Sequence, residues 1–150
     1  MYMCPMISDD FSSVNSNFDP LEADKMYRFQ ISKIVDQEND PEWVAANPGK
    51  SPALIFHSEV IEGPRVGAEI QDWIYTKKKD GSRNKFGLGR IKAYAEAILG
   101  AEAANSAKGI NTDDLNGGTF DGVMKAEPYT DQVTKESKQS IKLGKILRPS

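Results

Sequence analysis

GAEIQDWIYTKKKDGSRNKFGLGRIKAYAEAILG, residues 67–100, carries three patterns in series. The first alternates: Ile70, Asp72 and Ile74 share one parity, and Gln71, Trp73 and Tyr75 share the other. A strand sends successive side chains to opposite faces, so this alternation predicts a strand with its aliphatic pair in a core. Trp73 and Tyr75 then face outward, followed in phase by Lys77. The second pattern is a cluster of cations: Lys77, Lys78, Lys79, Arg83 and Lys85. The third is an apolar stripe of Leu88, Ile91, Ala95 and Ile98, which predicts an amphipathic helix over residues 88–99. Gly100 stands where a C-terminal cap belongs.

Outward from this stretch, the chain reads as further strands. Residues 25–35 alternate, with Tyr27, Phe29 and Ile31 on the core side and Arg28 and Gln30 opposite. Residues 36–52 read as a long loop broken by Pro41, Pro48 and Gly49; its Trp43 is either a packed hinge or an aromatic offered to a ligand. Residues 53–62 form a second strand, with Leu54, Phe56 and Val60 on one parity and Ile55, His57 and Glu59 on the other. The Gly63-Pro64 turn returns the chain into the third strand. After the helix, Asp113 and Asp114 suit a short helical turn. Residues 119–126 are a fourth strand with Phe120, Gly122 and Met124 on one face. A polar connection over 127–139 leads to a last strand over 140–147, with Ile141 and Leu143 inward. Residues 1–24 are polar and without period, and read as a flexible arm in which Phe11 and Phe18 are the apolar anchors. Residues 25–150 form one domain.

The order β-β-β-α-β-β, mainly β with one helix between the third and fourth strands, matches the five-stranded Greek-key barrel called the OB-fold, although a five-strand sandwich and a small α+β sheet are built from similar elements. The second and third strands of an OB-fold present an oligonucleotide surface.

Composition bounds the function. At 150 residues the chain can bury about two-thirds of its unfolded surface, enough for one core. No apolar run approaches the roughly 20 residues of a membrane span. The start, MYMCPMISDDF, lacks the positive and apolar regions of a secretory signal. Cys4 and His57 are the only residues of their kinds, so neither an internal disulfide nor a zinc site forms from them. A reducing cytoplasm follows. The net charge of −3 is unevenly placed. Residues 65–92 hold eight bases and three acids, a net +5, and a polyanion touching one face feels that local field. Aromatics beside cations suit single-stranded nucleic acid, because every base offers a π-face. The competing reading packs Trp73 and Tyr75 under the helix or arm and leaves the lysines merely solvated.

Three phrases carry a resemblance: FDPLEADKMYRFQI before and in the first strand, SEVIEGPRVGAEI across the hairpin, and GRIKAYAEAILG with DDLNGGTFDGVMK around the helix and fourth strand. Together they span roughly residues 18–126, and Val60-Ile61-Glu62-Gly63-Pro64 with Gly67 is the most distinctive piece. The chain resembles a phage-encoded family of OB-fold single-stranded DNA-binding proteins. The resemblance implies a protein that coats single-stranded DNA during replication or recombination, with no catalytic residue and no cofactor. Replication or recombination proteins are then partners, and homo-oligomers are a further expectation. Many single-stranded DNA-binding proteins recruit partners through an acidic tail; KLGKILRPS is basic, so that feature is not expected.

The expected nucleic-acid surface comprises Trp73 and Tyr75 as stacking platforms and Lys77, Lys78, Lys79, Arg83 and Lys85 on phosphates. Ile55 and His57 flank the rings from the adjacent strand, and Arg28 extends the surface from the first. The acidic run 36–42 lacks calcium-loop spacing and is interrupted by Pro41, so no metal is expected. Gly87-Leu88-Gly89 lacks a phosphate loop's remaining signature. A lone histidine makes an enzyme a poor reading. The alternatives are a small β-barrel protein-interaction or virion module, in which Trp73 anchors an interface, and an RNA-binding module of the same physics.

Overall fold

The structure is a computed structural model that describes residues 21–149 together with Ser8; Cys4, Phe11 and Phe18 lie outside the described residues. The order of elements is β1 (Met26–Asp36), α1 (Pro41–Ala46), β2 (Leu54–Val60), β3 (Glu69–Ile74), α2 (Lys85–Ile98), α3 (Ala101–Ala104), a 3-10 turn (Thr112–Asp114), β4 (Thr119–Thr130) and β5 (Ser137–Leu147). The strands form one antiparallel sheet in the order β3-β2-β1-β4-β5. No described helix is long and apolar enough to cross a membrane.

β1 divides its length between its two partners. Residues 26–30 pair with β4, whereas 29–36 pair with β2, and the register shifts between Ile31 and Lys33. An irregularity of this kind bends a strand and increases its twist. The sheet remains open in its hydrogen bonding, yet Cα atoms of its edge strands β3 and β5 come within 8 Å of each other.

The curled face encloses Phe29, Ile31, Phe56, Val60, Ile74, Phe120 and Met124, and α2 covers it with Ile91, Tyr94 and Ala95. Tyr94 stands at the centre of this packing. Its ring lies 4.5 Å from Phe56 and 5.2 Å, edge-on, from Phe120, which stacks on Phe29 at 5.3 Å. The stripe expected from sequence included Leu88 and omitted Tyr94. In the fold, Tyr94 is fully buried and Leu88 sits at the edge of a cleft. A buried phenol needs a partner for its hydroxyl, and Asp72 accepts from it at 2.8 Å. Burial, reinforced by the Asp72 carboxylate, pushes the phenol well above its ordinary pKa.

Several boundaries differ from the sequence expectation for local reasons. The helix begins at Lys85, three residues early, because the Asn84 side chain accepts from the backbone N–H groups of Phe86 and Gly87 at 3.1 and 3.3 Å. The expected loop over 36–52 contains α1, where Asp40 caps the Trp43 N–H at 3.2 Å and Pro41 occupies the first turn. Within the expected arm, Leu21 is buried in the core, and the Asp24 N–H donates to the Met124 carbonyl at 2.8 Å. The β4–β5 hairpin is longer than expected. Residues 125–139 are nearly all exposed, a two-stranded ribbon running on past the core. Ile141, expected inward, lies on that ribbon and is exposed, whereas Leu143 is buried.

Candidate nucleic-acid interface

The outer face of β1, β2 and β3 is built in rows that the register defines. Val35, Ile55 and Trp73 form one row, and Lys33, His57 and Gln71 the next. Side chains directly opposite on one face touch across a sheet. Trp73 is 51% exposed and Tyr75 38%, so neither ring is packed under α2. The Trp73 indole N–H donates to Gln71 Oε1 at 3.2 Å, which fixes the ring's edge while leaving its face available. Ile55 is only 6% exposed and yet stands outside the core cluster. Its position opposite Trp73 and Val35 explains this: it is an apolar floor between them rather than an open contact. His57 is half-buried. Burial lowers its pKa from the ordinary value, the nearby Lys33 ammonium lowers it further, and Glu69 opposes both.

Past Tyr75 the cationic run forms a defined hairpin. Lys77 and Arg83 pair across it, Lys78 N–H donates to Ser82 at 2.8 Å, and Gly81 N–H returns to Lys78 at 2.9 Å. Gly81 takes φ 85°, the left-handed conformation this turn requires. Asp80 accepts from the backbone N–H and hydroxyl of Ser82 at 2.8 and 2.6 Å, and these bonds hold its carboxyl below the usual range. Lys78, Lys79, Arg83 and Lys85 are exposed on this hairpin and its exit. Lys77 lies 3.6 Å from Glu38, which also accepts from Thr76 Oγ1.

The base of the hairpin is clamped to α2. A Cβ on Gly87 would lie 1.8 Å from the Tyr75 carbonyl oxygen, so only glycine lets the helix approach the end of β3. One turn on, Arg90 Nε donates to Asp72 at 2.8 Å, and its Nη groups reach the Leu143 and Gly144 carbonyls. Arg90 therefore ties α2 to β3 and β5.

The structure brings together Trp73, Tyr75, Lys77, Lys78, Lys79, Arg83 and Lys85 along one continuous segment, with Ile55 and His57 beside Trp73. It does not bring Arg28 there. Arg28 is seven residues from Val35 along β1, roughly 20 Å at strand rise. It is held by Asp121 at 2.9 Å and Glu62 at 3.3 Å. The parity argument put Arg28 on the outer face correctly, but a carboxylate directly opposite on β4 claims it.

Residues not anticipated from sequence join the surface. Phe86 is 90% exposed in the first turn of α2, next to Lys85. The Asn84-x-x pattern of a helix cap placed it off the core stripe, and that was the readable signal. Lys33 and Val35 complete the outer rows from the second half of β1.

The chain matches no protein-family model and no curated protein. No group of three or more His, Cys, Asp and Glu side chains among the described residues is arranged to hold a metal ion.

Proposed function

We propose that this chain is an OB-fold protein that binds single-stranded DNA with little sequence preference, in the manner of the phage-encoded proteins it resembles, during replication or recombination. One observation carries the reading: two outward aromatics, Trp73 on β3 and Tyr75 just past its end, lead in phase into a hairpin of exposed cations. The rings stack on bases at roughly 1–3 kcal/mol each while the cations neutralise phosphates. Support for the OB assignment comes from the strand order with β1 shared between β2 and β4, the close approach of β3 and β5, and the helix between β3 and β4. A mobility-shift comparison of one sequence as single strand and as duplex tests the reading, with Trp73→Ala beside the wild type. Wild type shifts the single strand preferentially, and Trp73→Ala weakens that binding by about 1–3 kcal/mol. Equal or absent binding of both forms by the wild type would favour the protein-interaction barrel, with Trp73 and Val35 as its anchors.

A further inference from the structure

The basic hairpin has a second side. Beyond it lies an open cleft of about 1080 Å³ between the hairpin, α2, the start of the β1–β2 connection and residues 104–113. Its apolar floor is Leu54, Leu88, Ile91 and Ile110, and Lys77, Arg83, Lys85 and Lys92 stand around it. The size lies at the upper end of pockets that hold drug-sized ligands, roughly 300–1,000 Å³, so a base with its sugar and phosphate fits.

We infer that this cleft receives the continuation of the strand bound on the β1–β3 face, with Lys92 as a further phosphate contact and Leu88 and Ile110 beneath a base. The inference rests on the nucleic-acid reading above and adds a path to it. Continuity is the first argument. Lys77, Arg83 and Lys85 belong to the cation run that follows Tyr75, and the same three line the cleft. Lys85, Leu88, Gly89 and Lys92 then form one stripe of α2 along the cleft, with the two lysines roughly 10 Å apart along the helix axis.

Charge is the second argument. Three carboxylates also line the cleft, and one of them, Glu38, is matched by a lysine. Asp36 accepts from the Asn39 backbone N–H at 3.0 Å and from its side-chain amide at 2.6 Å, and Glu38 holds Thr76 and Lys77. Arg83, Lys85 and Lys92 form no ion pair among the described residues. Three cations without an ion pair therefore face two carboxylates, Asp36 and Asp113, because the bonds from Asn39 leave the charge of Asp36 in place, and the cleft keeps a net charge of +1. That balance favours a polyanion, and the apolar floor favours one that carries rings.

The test is fluorescence anisotropy with labelled oligo-dT of about 5 and about 12 nucleotides, lengths within the range one OB-fold covers, on wild type, Lys92→Gln and Trp73→Ala. Lys92 is exposed, so its substitution leaves folding intact, as a thermal melt verifies. Lys92→Gln should bind the short oligomer within about twofold of wild type and the long one about 3–10-fold more weakly. Its log–log salt slope on the long oligomer should be shallower by about 0.7, the effect of one lost phosphate contact. Trp73→Ala should weaken both lengths. If Trp73→Ala weakens both and Lys92→Gln neither, the cleft lies off the path and this inference fails while the DNA reading stands. If Lys92→Gln weakens both lengths equally, the cleft is part of the primary face and the proposed continuation is overturned. If wild type binds neither oligomer, both readings fail together.

Discussion

Two glycines on one helix should respond oppositely to the same substitution. Gly87 and Gly89 both lie in α2, and alanine at a helix interior is favoured over glycine by about 0.8–1 kcal/mol. At Gly89 an added Cβ meets nothing within 4 Å among the described residues, so Gly89→Ala should stabilise the fold by roughly that amount. At Gly87 the added carbon would stand 1.8 Å from the Tyr75 carbonyl oxygen and 2.7 Å from its carbonyl carbon. Ordinary contact needs about 3.5 Å, so the helix and the end of β3 must separate by more than 1 Å. Both are backbone, and no rotamer change relieves the clash. The separation also works against the 2.8 Å bonds from Arg90 and Tyr94 to Asp72 one and two turns further on. Overpacking of this kind costs about 1–3 kcal/mol, at times more; against the propensity gain the net is a loss of about 2 kcal/mol. The two variants should therefore differ by about 3 kcal/mol, or roughly 10 °C in Tm for a domain of this size. Urea melts followed by far-UV circular dichroism give the comparison directly. Midpoints for Gly87→Ala and Gly89→Ala that agree within 1 kcal/mol would show that α2 does not rest on the Tyr75 backbone, and the clamp on the interface would be wrong.

Other perturbations separate the remaining parts of the account. Ser58 is fully buried on the core side of β2, and its hydroxyl has no hydrogen-bond partner among the described residues; Ser58→Ala should be neutral or stabilising by up to about 1 kcal/mol, and a clear loss in a denaturant melt would refute this. His57 has a folded pKa lowered by burial and by Lys33, so the native state resists a proton that the unfolded chain accepts below its ordinary pKa of 6.5. Its contribution to stability is present above that value and is lost as pH falls. Melts between pH 7 and pH 5 should show a shallower decline for His57→Gln than for wild type, and an unchanged decline would refute the assignment. Replacing Lys77, Lys78 and Lys79 together with Gln should flatten the salt slope of single-strand binding by about two units if all three meet phosphates, while leaving the melting temperature close to wild type; an unchanged slope would make them solvent decoration.

What was legible in the sequence followed from short-range periodicity, and what was not depended on which residues meet across the sheet. Alternation alone placed Trp73 and Tyr75 outward and Ile74 inward, because a strand gives a side chain only two directions. The same alternation assigned Asp72 to the inner parity, an apparent misfit for a carboxylate. The fold resolves it through Arg90 and Tyr94, which reach Asp72 from 18 and 22 residues away along the chain. No local pattern signals such a partner. Arg28 lies apart from the Trp73–Lys85 segment, paired with Asp121, for the matching reason: its outward direction was readable, but a partner 93 residues on was not. The shift of register between Ile31 and Lys33 is likewise silent in sequence, although it bends β1. This division follows the physics of the surface itself. Outward rings and exposed cations need only exposure and sequence neighbours, so residues 73–85 announce themselves. A cleft assembled from Leu54, Lys92 and Ile110 needs three separate segments folded together, and becomes visible only when they are.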